Sequence, residues 1–295
     1  GFSVDYNESS NLKSLNLVNG AVLNMSDVSM QIAGNEVNVD ATSQMVQTVS
    51  PVFMEFLGNT DVVVTYDNPL GLNIYRISAE NENNFTLTGA GSYSIDNDLN
   101  LENVDTLFTN MSGDFFVGDD INFQNADIVY VNNGNVFATD QIKHSSADGT
   151  GARIYNYGTL SCKEFKADDK SFNVYNYDSI YSENFVNFSS NSEFYNYNNA
   201  SWTLPGNSYD VDVNLFAAYE GNTFYYNQNG NQNILEPQTA YYNLDLRNTG
   251  TKTPSSATLN VDGNLIIRDN VVLDVSISTT DINIGGSFLS YSTQM

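Results

Sequence analysis

Apolar and polar residues alternate along most of this chain, in short runs that end at turn residues. Leu99-Asn100-Leu101 and Ile121-Asn122-Phe123 put apolar side chains on one face with a polar one between them. Asn19-Gly20 and Gly34-Asn35 interrupt the earlier runs. A period of two residues, with turn residues between runs, indicates short β-strands rather than helices. The pattern therefore predicts an all-β protein.

One motif repeats with an unbroken period. Tyr155-Asn156-Tyr157, Tyr175-Asn176-Tyr177 and Tyr195-Asn196-Tyr197 stand 20 residues apart. A fixed period of this length in strand-forming residues is typical of a β-solenoid, in which each repeat is one coil. Equivalent residues of successive coils then stack at about 4.8 Å. We predict a parallel β-solenoid with coils of about 20–24 residues.

The regularity of the pattern varies along the chain. We predict one elongated segment over residues 1–295, with irregular N-terminal coils at 1–84, regular coils at 85–204 and C-terminal coils at 205–295. Three stretches break the pattern. We expect a lateral loop or distorted coil from Pro51 to Ala79, a loop from Lys143 to Arg153 and an insertion from Pro205 to Ala218.

The Tyr-Asn-Tyr motif places its asparagine and its two tyrosines on opposite faces of a strand. Stacked asparagines predict a ladder of side-chain amide hydrogen bonds. If the asparagines face inward, the tyrosines form an exposed stripe on which sugars could stack. If the tyrosines face inward, they form a stacked aromatic core, and the cost of exposed aromatic patches favours this arrangement. The ladder residues are Asn156, Asn176 and Asn196, and the candidate contact stripe is Tyr155, Tyr157, Tyr175, Tyr177, Tyr195 and Tyr197.

The net charge of the chain argues against some classes of binding partner. Asp and Glu outnumber Lys and Arg by 35 to 10, which gives a formal net charge of −25. Nucleic acids and anionic lipids require a basic patch, so we expect neither as a partner. The sequence shows no signal peptide and no membrane helix, so we expect no direct membrane insertion.

The chain has few residues suited to metal or nucleophilic chemistry. Cys162 is the single cysteine, and we expect it to be a small buried residue in a strand. His144 is the single histidine, and we expect it in an exposed loop, with no second histidine to build a metal site. We therefore expect no cofactor other than calcium.

Calcium has weak candidate ligands at two turns. Asp96-Asn97-Asp98 and Gly118-Asp119-Asp120 offer hard oxygen ligands, which calcium prefers. Neither turn matches an EF-hand or a Gly-Gly-x-Gly-x-Asp repeat, so solvated carboxylates are the favoured interpretation. The candidate ligands are Asp96, Asp98, Asp119 and Asp120.

An enzyme is the alternative class, because β-helices include polysaccharide lyases and glycoside hydrolases. Such enzymes group carboxylates with an arginine or lysine in one groove. Adjacent acidic pairs are expected by chance among 35 acidic residues, and basic residues are sparse. The sequence has no nucleophile elbow, phosphate loop or zinc-site spacing. We therefore predict that the protein is not an enzyme.

The C-terminal part of the chain resembles a known group of proteins. The resemblance lies in Tyr241-Tyr242-Asn243-Leu244, in Gly250-Thr251-Lys252-Thr253, in the run from Leu259 to Ile267 and in Ile284-Gly285-Gly286-Ser287-Phe288. Gly221-Asn222-Thr223-Phe224 and the run from Asn231 to Leu235 also fit. Over about residues 220–290 the pattern is similar to the repeat region of large surface adhesins of Bacteroidota, the gliding-motility and type IX-secreted group.

This resemblance implies a right-handed β-helix within a large extracellular polypeptide. Such proteins carry an N-terminal signal and a C-terminal sorting domain; neither is seen here, which implies an excised segment. The implied function is structural and adhesive, with a rigid stalk at the cell surface and a contact face for carbohydrate or a solid surface. The implied partners are a polysaccharide or solid surface and neighbouring domains of the same polypeptide.

Overall fold

The computed structural model describes residues 3–6, 10–58, 60–124, 127–145, 151–189, 191–209, 213–276 and 281–292. These residues form parallel β-strands and turns and contain no helix, so none could cross a membrane as an apolar helix. The strands stack as a parallel β-solenoid of about 12 turns. The predicted all-β solenoid is confirmed.

Two compact units can be distinguished along the chain. The first contains Gly1–Arg153 and Gly158–Cys162, and the second contains Ile154–Tyr157 and Lys163–Met295. Each has the same architecture of stacked parallel strands. The single segment over 1–295, with its three predicted sections, stays a prediction.

Short strands make up the first unit. They are β1 (Ser3–Tyr6), β2 (Ser10–Leu12), β3 (Leu15–Leu17), β4 (Val22–Ile32), β5 (Glu36–Val39), β6 (Gln44–Leu57), β7 (Val62–Tyr66), β8 (Leu72–Ile74), β9 (Arg76–Glu80), β10 (Asn84–Gly89), β11 (Tyr93–Ile95), β12 (Leu99–Glu102), β13 (Thr106–Met111), β14 (Asp114–Val117), β15 (Ile121–Gln124), β16 (Ile128–Asn132), β17 (Asn135–Ala138) and β18 (Gln141–His144). The next two strands, β19 (Gly151–Asn156) and β20 (Thr159–Asn176), have residues in both units.

Three strands build each coil in the middle of the first unit. Strand β10 pairs with β13, β11 with β14 and β12 with β15, all in parallel. The partners stand 22 residues apart, as with Tyr93 and Phe115. The separation is 19 residues at Ser3 and Val22 and 27 at Val37 and Val64. The predicted length of 20–24 residues therefore describes the regular coils.

The second unit continues the strand numbering. Its strands are β21 (Ser179–Phe188), β22 (Glu193–Asn196), β23 (Ser201–Leu204), β24 (Ser208–Tyr209), β25 (Asn214–Ala217), β26 (Thr223–Tyr226), β27 (Gln232–Ile234), β28 (Pro237–Tyr241), β29 (Asn243–Leu246), β30 (Gly250–Pro254), β31 (Thr258–Val261), β32 (Leu265–Ile267), β33 (Val271–Leu273), β34 (Asp281–Ile284) and β35 (Phe288–Ser290).

Three parallel stacks also run through the second unit. Strands β22, β25, β28, β31 and β34 form one stack, and β23, β26, β29, β32 and β35 form another. The shorter third stack is β27, β30 and β33.

Alternate side chains of the strands fill the interior. In the second unit an aromatic cluster surrounds Trp202, which is fully buried. Its ring lies 5.3 Å from that of Phe194 and 5.6 Å from that of Phe185, centroid to centroid. The indole Nε1 donates to Oγ of Ser182 at 2.9 Å, so burial of its one donor is compensated.

Asparagines form many of the tight turns. Asn199, Asn248 and Asn270 have φ values of 61°, 65° and 63°, in the left-handed region that few side chains adopt. Gly250 has φ 81°, and a Cβ at this residue would lie 2.4 Å from the carbonyl carbon of Gly230 in the neighbouring coil. Asn and Gly therefore supply the left-handed backbone positions at these turns.

The stretch from Pro51 to Ala79 consists of strands with a local irregularity, so of the two predicted alternatives the distorted coil is confirmed and the lateral loop is wrong. Strands β6 and β9 pair in register from Phe53 to Leu57. The distortion consists of register shifts between β4 and β6, near Ser26, and of the 27-residue separation between Val37 and Val64. Pro51 cannot donate to a ladder, and an irregularity beside it removes the need for that hydrogen bond.

Two other predicted breaks are also partly wrong. Lys143 and His144 belong to β18, and His144 is fully buried rather than exposed, since it shares the inward face with Ile142. Residues 146–150 of the predicted loop lie outside the described residues. In the predicted insertion, β24 pairs in register with Asn184 and Phe185, while residues 210–212 lie outside the described part.

Candidate functional site

The asparagines of the Tyr-Asn-Tyr motif form a buried ladder. Asn156, Asn176 and Asn196 have no exposed surface. Nδ2 of Asn156 donates to Oδ1 of Asn176 at 2.8 Å, and Nδ2 of Asn176 donates to Oδ1 of Asn196 at 2.7 Å. Asn176 thus donates to one ladder neighbour and accepts from the other, so the ladder satisfies both ends of its amide. The predicted ladder is confirmed.

Backbone carbonyls use the remaining amide hydrogens. Nδ2 of Asn156 also donates to the carbonyl of Ser179 at 3.0 Å, and Nδ2 of Asn176 to that of Ser201 at 2.8 Å. Asn222 donates to the carbonyl of Asn196 at 2.6 Å. The ladder therefore links the motif strands to the strands that follow each turn.

The tyrosines of the motif point outward, so the favoured prediction of a tyrosine core is wrong. Tyr157 and Tyr177 are 49% and 39% exposed, and the other four tyrosines are partly buried. The inward positions beside the asparagines are held by Val174 and Phe194, both fully buried. These apolar side chains lie on the same face of the strands as the asparagines. Because the apolar side chains are buried, that face of each strand points into the interior.

The outward rings form two stacked columns. The first runs Tyr155, Tyr175, Tyr195 and Phe216, with centroids 4.7, 5.2 and 4.4 Å apart and ring planes within 10° of parallel. The second runs Tyr157, Tyr177, Tyr197 and Tyr219, with centroids 4.7, 4.5 and 4.6 Å apart. We call these eight residues the aromatic stripe.

Stacking decides which part of each ring solvent can reach. Tyr175 has a ring on both of its faces, and so do Tyr177, Tyr195 and Tyr197. Their faces are therefore covered, while their edges and hydroxyl groups form the outer surface. A sugar can contact this surface through C–H groups against ring edges and through hydrogen bonds to hydroxyls. It cannot stack on a ring in the middle of a column.

The hydroxyl groups of the stripe interact with each other and with neighbouring acids. Burial raises the pKa of Tyr195 to about 12, and the charge of Glu193 adds to this effect. Burial and then the proximity of Tyr177 also raise the pKa of Tyr197. Tyr195 and Tyr197 are thus uncharged at neutral pH, and their hydroxyls can act as both donors and acceptors.

Sequence reasoning missed Phe216 and Tyr219. The residues between these two are Ala217 and Ala218, so the Tyr-Asn-Tyr motif is absent at this step. The spacing also changes, since Phe216 follows Tyr195 by 21 residues. The available signal in the sequence was that Phe216, an aromatic residue, occupies the position of the next coil that corresponds to Tyr195.

The candidate calcium ligands come together only in part. Single carboxylate oxygens of Asp98, Asp119 and Asp120 lie within 4.8 Å of one another, at turns of neighbouring coils. Asp96 is exposed and is not part of this group. The structure thus brings three of the four predicted residues together.

Two basic side chains already pair with two of the three carboxylates of this acidic cluster. Lys143 donates through Nζ to Oδ2 of Asp120, and Arg76 lies 3.5 Å from Oδ2 of Asp98. Burial acts to lower the pKa of Lys143, but its hydrogen bond to Asp120 and the charge of that carboxylate outweigh burial and raise the pKa. Burial, followed by the charge of Asp120, raises the pKa of Asp119. The cluster therefore contains two ion pairs, at Asp98 and Asp120, and one carboxylate, Asp119, whose charged form is less stabilised.

A second charged group lies on the outer face of the C-terminal coils. Asp245 is 2% exposed, and its Oδ2 accepts from Nη2 of Arg247 and of Arg268, each at 2.8 Å. Arg268 also donates from Nε to Oδ1 at 3.0 Å. The guanidinium of Arg247 lies 4.0 Å from the ring centroid of Tyr225. Sequence reasoning treated this region as strand only, because the pairing of Asp245 with Arg268 depends on the coil register.

Cys162 is buried within β20, as predicted.

Comparison of the chain with protein-family models, with curated proteins and with solved structures finds no match in any of the three.

Proposed function

We propose that this chain is a structural and adhesive module that binds neutral carbohydrate through the aromatic stripe. The observation that carries the proposal is the pair of stacked aromatic columns, which hold Tyr157 and Tyr177 exposed on a rigid strand surface. Aromatic residues with polar tips are suited to surfaces that contact ligands bearing both C–H groups and hydroxyls. Repetition of equivalent contacts on adjacent coils allows many weak contacts to act together.

The charge of the chain supports a neutral ligand. A formal net charge of −25 repels polyanions, including acidic polysaccharides, unless a basic patch offsets it. The stripe contains only aromatic residues. Neutral polysaccharides and uncharged solid surfaces are therefore the favoured partners.

The resemblance of residues 220–290 to adhesin repeats supplies the proposed setting. The module would be one rigid part of a large extracellular adhesin at the cell surface, joined to neighbouring domains of the same polypeptide. Hydrogen-bonded coils and the buried asparagine ladder support a stiff stalk, because each strand is held by its neighbours over its whole length.

A second candidate function, cleavage of a polysaccharide, is favoured by the acidic cluster at Asp98, Asp119 and Asp120 with Lys143 beside it. Acids grouped with one base suit acid–base chemistry. However, the raised pKa of Lys143 keeps it protonated at neutral pH, so it is poorly suited to take a proton. Binding without cleavage is the better-supported function.

The test is retention of the chain on insoluble neutral and acidic polysaccharides, with calcium and with a chelator. New reducing and unsaturated ends are measured in the same samples. We expect retention on at least one neutral polysaccharide and no new ends. Tyr157→Leu and Tyr177→Leu should weaken retention, because each removes an exposed ring edge and a hydroxyl.

Tyr181→Leu is the matched control, since Tyr181 is 40% exposed and lies outside the stripe. Equal losses in Tyr181→Leu and Tyr177→Leu would contradict a role for the stripe. New sugar ends in the wild-type reaction would favour the enzyme. Absence of both retention and cleavage would reduce the chain to a spacer.

A further inference from the structure

The first aromatic column ends at Phe216, beside a small cavity. One face of Phe216 stacks on Tyr195 at 4.4 Å, and the described part of the chain places no ring on the other face. A cavity of about 170 Å³ lies here, lined by Phe216, Ala217, Ala218, Tyr219 and Thr239. Sites for drug-sized ligands run from roughly 300 to 1,000 Å³, so this one has room for a single small ring.

A local irregularity of the next strand creates the cavity. Leu215 pairs with Pro237 and Ala217 pairs with Tyr241, so three residues of β28 lie opposite Phe216 alone. In a regular coil one residue would lie there and its side chain would continue the column. Gln238 instead turns toward Asn214, where its Nε2 donates to Oδ1 at 2.9 Å. No side chain of β28 therefore continues the column beyond Phe216. β-Bulges of this kind are common next to binding sites, where they redirect side chains.

The walls of the cavity have the chemistry of a sugar subsite. The ring of Phe216 offers a flat apolar face, and Tyr219 forms a second aromatic wall whose plane is tilted by 49° from Tyr197. Ala217 and Ala218 are small enough to leave the space open. Tyr219 and Thr239 also line the cavity, and their side chains carry hydroxyls of the kind that exchange hydrogen bonds with sugar hydroxyls.

We infer that this cavity binds one neutral pyranose ring of a glycan, with the apolar C–H face of the sugar against Phe216. The sugar takes the position that a further aromatic ring would hold in the column. The inference rests on the proposed carbohydrate-binding function and deepens it. Ring edges along the stripe supply weak contacts, whereas the end of the first column supplies a ring face that is open beside a cavity.

The test uses the full chain and the methyl glycosides of glucose, galactose and mannose. Saturation-transfer NMR identifies the sugar protons that contact the protein, and titration gives the affinity. We expect saturation to be greatest at the C–H protons of one sugar face. Phe216→Leu should weaken binding roughly fivefold or more, since it removes the ring and keeps an apolar side chain. Ala218→Leu should abolish binding by filling the cavity.

Phe116→Leu is the matched control, because Phe116 is 45% exposed and stacks on Phe137 at 5.1 Å. Thermal unfolding shows whether each variant keeps its fold. If Phe216→Leu and Ala218→Leu bind as wild type while Tyr177→Leu loses polysaccharide retention, the subsite is wrong and the proposed function stands. If polysaccharide retention persists but no methyl glycoside gives a signal, the subsite is also overturned. If wild type neither binds glycosides nor is retained, both proposals fail.

Discussion

Asn176 donates from Nδ2 to Oδ1 of Asn196 at 2.7 Å, and the two residues lie 20 positions apart in the chain. The bond is fully buried, and Oδ1 of Asn176 accepts an equivalent bond from Asn156. Asn176→Ala should therefore remove one hydrogen bond from each of two buried amides, those of Asn156 and Asn196. We expect a loss of about 1–3 kcal/mol in the free energy of unfolding, measured by urea denaturation.

Asn38→Ala is the control for this prediction. Nδ2 of Asn38 donates to Oδ1 of Asn16 at 3.2 Å, but that pair is exposed to solvent. Water can replace the lost partner, so the change in stability should stay within about 0.5 kcal/mol. Equal losses at Asn38 and Asn176 would show that burial does not set the strength of the ladder.

The sequence also indicates which face of the ladder strands is buried, which alternation alone does not. Alternation puts asparagine and tyrosine on opposite faces of a strand, but it does not say which face is inside. Val174 and Phe194 have the same parity as Asn176 and Asn196, and they decide the direction. His144 follows the same logic, since it shares its face with Ile142, although its polar neighbours suggested a loop.

Contacts between coils were harder to predict, because they depend on the register of strands far apart in sequence. Asp245 and Arg268 meet only because Leu246 pairs with Ile267. The cavity at Phe216 depends on the three residues of β28 that face a single residue of β25. Period and alternation predict neither the register shift nor the ion pairs. The coil architecture could be predicted, and the local chemistry of the site only in part.

The tyrosines predict a loss of stability at alkaline pH. Burial raises the pKa of Tyr195 to about 12, and it also raises the pKa values of Tyr226 and Tyr241. In the unfolded chain these groups ionise near pH 10. Above that pH the unfolded state binds fewer protons than the folded state, so the free energy of unfolding must fall as pH rises.

We therefore expect the urea midpoint to be unchanged from pH 8 to pH 9 and to fall from pH 10 to pH 12. Tyrosinate absorbance should rise together with unfolding. Complete ionisation of all 19 tyrosines near pH 10 in a chain that stays folded would contradict the prediction.

The ion pairs of Asp245 predict a loss of stability in acid. Burial acts to raise the pKa of this carboxyl, but hydrogen bonds from Arg268 and Arg247 outweigh burial and lower it. A lowered folded pKa gives stability that is present above about pH 4 and is lost as pH falls through the folded value. Asp245→Asn should remove this part of the acid sensitivity.

The same variant should be less stable at pH 7, because it leaves two guanidinium groups side by side without their carboxylate. Both arginine side chains are about 40% exposed, so solvent reduces the effect. We expect a loss of about 1–3 kcal/mol, below the range for a fully buried pair. Asp245→Asn combined with Arg268→Gln should recover part of the loss, and no recovery would contradict a role for charge. Urea denaturation of the single and double variants at pH 3 and pH 7 measures both effects.

The acidic cluster predicts how the chain responds to calcium. Lys143 and Arg76 already neutralise Asp120 and Asp98, so a divalent ion would have to compete with two fixed positive charges. We expect millimolar calcium or a chelator to leave the Tm of the wild-type chain unchanged.

Lys143→Gln removes one competing charge and leaves Asp98, Asp119 and Asp120 within reach of a common ion. That variant should be less stable without calcium and should gain Tm when calcium is added, since binding to the folded state alone raises stability. Lys166→Gln is the control, because Lys166 lies 4.0 Å from Asp168, which is not one of the three carboxylates of the cluster. A calcium-dependent Tm in the wild-type chain would contradict the prediction and would show that the carboxylates bind the ion despite the two basic side chains.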